Sequence, residues 1–411
     1  MHFYFYFKGG IVVMTYKNEQ NTNILYKGNK INPNRVSDPE VMPLYLSTAH
    51  NVADLDDLQN TYDRKGYAYT RSHNANRDGI AELMTYLEQS ENSVITNTGM
   101  SAISTTLLAL LTSGDHVVAD KTLYGESIDF LKTLSKYGIL VDFVDITNLD
   151  EVASVINANT RILYTETVSN PMMTVANIKA IADLAHSHQS YLIVDNTFMT
   201  PVLFHALTDG ADVVINSLTK FANGHGDVTL GSISAKAEII EKIYNLQVLL
   251  GTTGDPFDSW LATRGIRTLD LRVKKQSSNA LSLATFLENH QLISKVYYAG
   301  LKSHPQHDLA EAQFSNQYGG MLSFELKGDR QTINKFLQEL NLTKYAMTLG
   351  GIRTTISHPV SSSHYDTPEE EKAKIGITDQ LLRVSVGIED EADLIHDFEY
   401  ALSQIELEEG E

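Results

Sequence analysis

Not one of the 411 residues is cysteine. That single absence excludes disulfides, thiolate metal sites, iron–sulfur clusters and a cysteine nucleophile. It is consistent with a reducing compartment, and a cytoplasmic location is expected. Basic residues are also scarce: 32 lysines and arginines against 51 acids leave a net charge of −19. A phosphate backbone or an anionic lipid surface would be repelled, so no nucleic acid and no membrane is expected as partner. No apolar run is long enough to span a bilayer. What remains is ordinary for a globular protein, with 42% hydrophobic and 20% charged residues, and the length suits two packed domains.

The opening stretch "MHFYFYFKGGIVVM" is interrupted by Lys8, Gly9 and Gly10, and no small-residue cleavage site follows, so it does not read as a signal peptide. "KGG" is how a purine-rich ribosome-binding site looks when translated, and Met14 follows at a suitable spacing. Residues 1–13 are therefore expected to be an upstream artefact, which mass spectrometry of the native N-terminus would decide.

From Ser93 onward, short apolar runs alternate with longer periodic segments. "SVIT", "HVVAD", "ILVDFVD", "RILYTET", "YLIVDN" and "ADVVINS" read as strands. Between them "GMSAISTTLLALLTSG" reads as a helix stopped by Gly114, "ESIDFLKTLSKYG" as a second, and "NIKAIADLAHSH" as a third. The third places Ile178, Ile181, Leu184 and Ala185 on one face. Continuous apolar strands alternating with helices predict an α/β fold with a mainly parallel sheet covered on both faces. Beyond Trp260 one long helical stretch, "RGIRTLDLRVKKQSSNALSLATFLENH", precedes strands "GGMLSFELKG" and "LLRVSVGI", a smaller α+β domain. Thr367, Pro368 and Glu370 there carry a helix-start signature without chemical meaning.

Two neighbouring predicted strands end on an ionisable group, Asp195 in "YLIVDNTFMTP" and Lys220 in "VVINSLTKFANGHGD". A solvated lysine and a turn-capping aspartate would satisfy either segment alone. Yet ligands of parallel sheets bind beyond the carboxyl ends of the strands, and both groups arrive there. Pyridoxal phosphate would employ both: the amine forms a Schiff base and the carboxylate keeps the pyridine nitrogen protonated. A phosphate cradle is available in "NTGMSA", where Thr98, Gly99 and Met100 stand at a strand-to-helix junction with free N–H groups. A metal hydrolase using His225 and Asp227, or the "HSH" at His186, lacks a third ligand at standard spacing. No metal site is expected. A binding or scaffold protein would not need an imine-forming lysine, an aspartate and a carboxylate-binding arginine together.

Taken in order, "YAYTRSHN", "NTGMSAISTTLLALLTSGDHVV", "ETVSNP", "VDNTFMTP", "SLTKFANGHGDV", "TRGIRTLDLR", "GGMLSFEL" and "LLRVSVGIED" make the chain resemble the Cys/Met-metabolism family of pyridoxal-phosphate enzymes. The resemblance runs from about Val41 to Ala401. It implies the type I transferase fold, with an N-terminal arm over 14–66, a cofactor domain over 67–260 and a C-terminal domain over 261–411. It implies that Lys220 holds the cofactor, Asp195 pairs with the ring nitrogen, and Tyr124 stacks on the ring near the leaving group. Ser217 and Thr219 would join Gly99 and Met100 around the phosphate, and Glu166 and Asn170 would line the pocket. Arg383 would grip the substrate carboxylate. Tyr69 and Arg71 would reach the phosphate of a neighbouring subunit, so the expected assembly is a homotetramer of two dimers sharing active sites. The implied activity is α,γ-elimination or γ-replacement on a small sulfur amino acid.

Substrate choice is expected to rest on "YAMTLGG", with Met347 and Thr348. Relatives acting on cystathionine often carry a glutamate or tyrosine where Met347 stands, and a thioether suits a methylthio group instead. Methionine γ-lyase is therefore the favoured reading, with cystathionine γ-synthase or a cystathionine lyase as the alternative. Glu126 replaces the cysteine that many methionine γ-lyases place after the stacking tyrosine. Leu250–Gly251, Ala75–Asn76 and Arg353 are further departures from the pattern.

Overall fold

A computed structural model of the chain describes residues 2–7, 10–15, 19–28, 39–63, 66–362, 365, 370, 372 and 375–409, with backbone alone for 2–7, 10–15 and 406–409. Thr367 and Pro368 lie outside the described residues. Strands β1 (His2–Phe7) and β2 (Gly10–Thr15) form an antiparallel hairpin.

The central sheet contains β3 (Asn92–Thr96), β4 (His116–Asp120), β5 (Leu140–Val144), β6 (Thr160–Glu166), β7 (Tyr191–Asp195), β8 (Val213–Ser217) and β9 (Gly231–Ala235). Their spatial order is β3-β9-β8-β7-β6-β4-β5, and only β9 runs against the rest. The expected mainly parallel sheet is therefore present. Apolar clusters line both of its faces: Leu163, Leu192, Val194 and Val214 on one, Val117, Ile162, Ile193 and Ile215 on the other. That is why these strands read as continuous apolar runs instead of alternating ones.

A second sheet follows the order β10-β11-β14-β13-β12, from Ile293–Tyr297, Met321–Leu326, Leu381–Ser385, Thr355–Ser357 and Lys344–Tyr345. Its residues Leu322, Phe324, Leu382 and Val384 join the same buried cluster as Val194 and Phe221, so the two sheets share one core.

Three local expectations change. The helix after β3 ends at Leu110, before Gly114. The long helical stretch past Trp260 is two helices, Pro256–Ile266 and Leu269–Glu288, parted at Arg267 and Thr268. There the Arg267 guanidinium donates to the Ile24 and Lys27 carbonyls, tying the break to the N-terminal segment. Strand β9 was not legible, because "GSISA" has small residues where strand signals need branched or aromatic ones.

Candidate active site

The carboxyl ends of β6, β7 and β8 meet at one cavity of about 600 Å³. In register, Glu166 lies opposite Asp195, and Asp195 opposite Ile215, two residues before Ser217. The chain then turns through Leu218 and Thr219 to Lys220, whose N–H donates to the Ser217 carbonyl (3.1 Å).

Lys220 is half-buried, and burial lowers the pKa of its amine; Arg383 nearby lowers it further, while Glu126 opposes the shift. Its turn is clamped from behind. The buried Arg272 donates to the carbonyls of Phe221 (2.7 Å), Ala222 (2.9 Å) and Gly265 (2.9 Å). From the C-terminal domain, Gly350 presses its α-carbon against the Lys220–Phe221 peptide at φ +80°, so a side chain there meets both backbone strain and backbone atoms. Gly350→Ala is expected to shift this turn, lowering activity at least about tenfold and reducing the melting temperature. Activity and melting temperature both at the wild-type level would show that the turn tolerates the displacement.

Asp195 and Glu166 are two carboxyls at adjacent strand ends, and both are pushed upward mainly by burial. Thr197 offsets the shift at Asp195, its N–H donating to Oδ1 (2.9 Å). Glu166 feels Asp195 in addition to burial and rises well above the carboxylate range. The two lie opposite each other in register, so the charge on either one disfavours ionisation of the other. Glu166 Oε1 also accepts the Tyr124 N–H (2.7 Å), which fixes where that tyrosine leaves the sheet edge. The Tyr124 phenol lines the cavity and is held above its ordinary pKa, first by burial and then by the Glu126 carboxylate as hydrogen-bond acceptor.

At the other end of the cavity Thr98 caps the helix Gly99–Leu110. Its hydroxyl accepts the Ser101 N–H (2.9 Å), and the Ser101 hydroxyl accepts the Thr98 N–H in return. Thr98 thus spends its side chain on the cap, while Gly99 and Met100 open the helix. Ser217 packs against this turn so closely that a side chain at Gly99 would strike its Cβ and Oγ at 2.8 Å. The Thr219 hydroxyl accepts the Leu230 N–H (3.1 Å). Arg383 is buried in β14, where burial pushes its pKa down to about 10, leaving it charged at neutral pH. It donates to Asn170 Oδ1 (3.0 Å).

Of the residues singled out in the sequence, Thr98, Gly99, Met100, Tyr124, Glu166, Asn170, Asp195, Ser217, Thr219, Lys220, Met347, Thr348 and Arg383 all line this cavity. Tyr69 and Arg71 do not. Arg71 donates to the Val248 carbonyl (3.0 Å) and lies over the Tyr69 ring. Thr197, Arg272 and Gly350 were missed as positioning residues, and only the first had a local signal, two residues past a strand-ending aspartate. Among the described residues no group of histidine and acidic side chains could hold a metal, and no helix is long and apolar enough to cross a membrane.

Comparison with known proteins agrees with this geometry. The model of the Cys/Met metabolism PLP-dependent enzyme family matches residues 21–403. An L-methionine gamma-lyase of Fusobacterium nucleatum subsp. polymorphum is 40% identical over 370 residues, covering 89% of this chain and 93% of that protein. A cystathionine gamma-lyase of Bacillus subtilis (strain 168) is 41% identical over 342 residues, 83% of this chain and 89% of the other. The crystal structure of cystathionine gamma synthase from Xanthomonas oryzae pv. oryzae in complex with cystathionine superposes with a TM-score of 0.90 at 34% identity, over 95% of this chain and 100% of that one. The chain belongs to the Cys/Met metabolism family of enzymes that depend on pyridoxal phosphate.

Proposed function

We propose that this carbon–sulfur lyase releases a thiol, a 2-oxo acid and ammonia from a sulfur amino acid by α,γ-elimination, with methionine as the favoured substrate. The observation that carries the reading is the convergence of Lys220, Asp195, Tyr124 and Arg383 on one cavity. The cofactor's fit rests on the crowding at Gly99, where the missing side chain lets a serine hydroxyl and the first amides of a helix gather around one anion-sized spot. Ser217, Thr219, Gly99 and Met100 would hold the phosphate there, with Asp195 beneath the ring. Glu166 and Asn170 would close the pocket wall.

Bound pyridoxal phosphate supplies the electron sink that makes the substrate's α-proton removable. The chain's own groups do the rest. Arg383 offers a fixed, buried fork to the substrate carboxylate. Lys220, its amine biased toward the neutral form, would take the α-proton, pass it on so that the amine is free again, and only then take one from the β-carbon. Tyr124, kept protonated, gives its hydrogen to the departing sulfur. Tyr69 and Arg71, which do not line their own chain's cavity, would serve that of a second copy in a homo-oligomer. Met347, 70% exposed at the cavity mouth, presents a thioether in place of a charge.

A reconstituted enzyme should release 2-oxobutanoate and methanethiol from methionine. Assays with methionine, homocysteine, cystathionine, cysteine and O-acylhomoserine, read as 2-oxobutanoate, pyruvate and ammonia, test this. Release of pyruvate from cystathionine alone would overturn it. Met347→Glu is expected to move the ratio of kcat/KM for cystathionine over methionine upward about tenfold. An unchanged ratio would remove Met347 from substrate choice.

A further inference from the structure

One wall of the cavity is built by the turn after β4 and the helix Gly125–Thr133, and it is charged: Lys121, Glu126, Asp129 and Lys132. Lys121 is neutralised by Asp145 at 3.0 Å. Glu126 is different. It is exposed, makes no ion pair among the described residues, and sits two residues past Tyr124, with its carboxylate at the Tyr124 phenol and within electrostatic reach of Lys220. The same cavity is also lined by Val168, Met347, Leu349 and Ile375, which carry no charge. A substrate's γ-substituent would therefore meet uncharged side chains together with the carboxylate of Glu126, and Asp129 stands one turn farther along the same helix.

We propose that Glu126 sorts substrates by the charge beyond their γ-atom, admitting cationic and neutral substituents and turning away anionic ones. The inference rests on the assignment of Tyr124 to the leaving-group end of the cavity. Four-carbon amino acids activated at the γ-position share one skeleton and differ in what hangs from it: a methylthio group, a zwitterionic arm bearing both an ammonium and a carboxylate, or an acyl group bearing a carboxylate alone. A carboxylate a few ångströms from that appendage, in a partly solvated cavity, changes relative affinity for opposite charges by about tenfold, and less as salt is added. Methionine, neutral at this point, enters without gain or penalty. An acylhomoserine with a free carboxylate meets repulsion in the half of the site where its ester must be cleaved.

The test uses three six-carbon amino acids that cannot lose a γ-substituent: norleucine (neutral), lysine (cationic) and 2-aminoadipate (anionic). Their binding to the holoenzyme is measured by titration calorimetry for the wild type, Glu126→Gln and Glu126→Asp. The wild type is expected to prefer lysine to 2-aminoadipate, with Glu126→Gln shrinking that preference about tenfold and Glu126→Asp preserving it. Norleucine reports general damage to the site. An equal preference in the wild type and Glu126→Gln, or an equal weakening of all three ligands, would overturn the proposal. A holoenzyme that shows the charge preference but eliminates neither methionine nor cystathionine would instead overturn the functional reading and leave Glu126 standing.

Discussion

Lys220→Ala is expected to abolish elimination from any sulfur amino acid the enzyme accepts, while the protein stays folded. The side chain opens onto the cavity, whereas the turn that carries it is held by main-chain bonds: Lys220 N–H to Ser217 O (3.1 Å) and Gly224 N–H to Lys220 O (2.8 Å). Arg272 and Gly350 brace the same turn through backbone atoms, so alanine leaves those supports in place. What disappears is a cavity-lining amine that burial and Arg383 hold toward its neutral form. A misplaced or missing general base costs 10²–10⁴ on its own, and this amine is asked to move two protons. The expected loss in kcat is therefore at least about 10³-fold. Cofactor should still bind through the phosphate cradle and Asp195, though more weakly. Borohydride reduction followed by peptide mapping should label Lys220 in the wild type and nothing in the variant. Elimination retained within tenfold, or a label on another lysine, would place the base elsewhere.

How much of this was legible follows a physical line. Asp195 and Lys220 were found because each ends an apolar strand, and in a parallel sheet a strand's end is where a ligand waits. Nothing in the chain, however, says which strands are neighbours. That Glu166 sits opposite Asp195, so that each acid hinders the other's ionisation, is a fact of register between segments about thirty residues apart. Arg272 and Gly350 act on Lys220 from still farther along the chain, and a lone arginine on a long helix carries no local sign of what it braces. Glu126 was noticed only as a departure from a family pattern. Its physical meaning needed the cavity, which it lines together with Tyr124 and several apolar side chains. Tyr69 and Arg71 mark the opposite limit: residues of one chain whose own cavity does not use them.

The largest expected stability effect lies beneath the site, at Glu88. This carboxyl is fully buried, and burial raises its pKa from 4.5 to about 8, against a smaller lowering by Asn216. The Asn216 amide donates to Glu88 Oε1 at 2.5 Å, while among the described residues Glu88 Oε2 and Asn216 Oδ1 both lack partners. A proton on Oε2 is the hydrogen both oxygens are missing, so the folded state holds Glu88 neutral. The folded chain then binds a proton that the unfolded chain releases above pH 4.5, and stability falls as pH rises from there through about 8. At ~1.4 kcal/mol per unit, the loss across that window is roughly 4 kcal/mol. Glu88→Gln keeps the size and supplies a permanent donor, so it should cancel this dependence. Near pH 5 the variant and wild type should unfold alike; near pH 9 the variant should be the more stable by a few kcal/mol. Asn216 precedes Ser217 in β8 and stands four residues before Lys220, so ionising Glu88 is expected also to disturb the strand that leads to Lys220. Activity of the wild type should accordingly fade at high pH faster than that of Glu88→Gln. Denaturant unfolding across pH 5–9 decides the matter, and parallel stability curves for the two proteins would mean that Glu88 is not the buried acid this geometry requires.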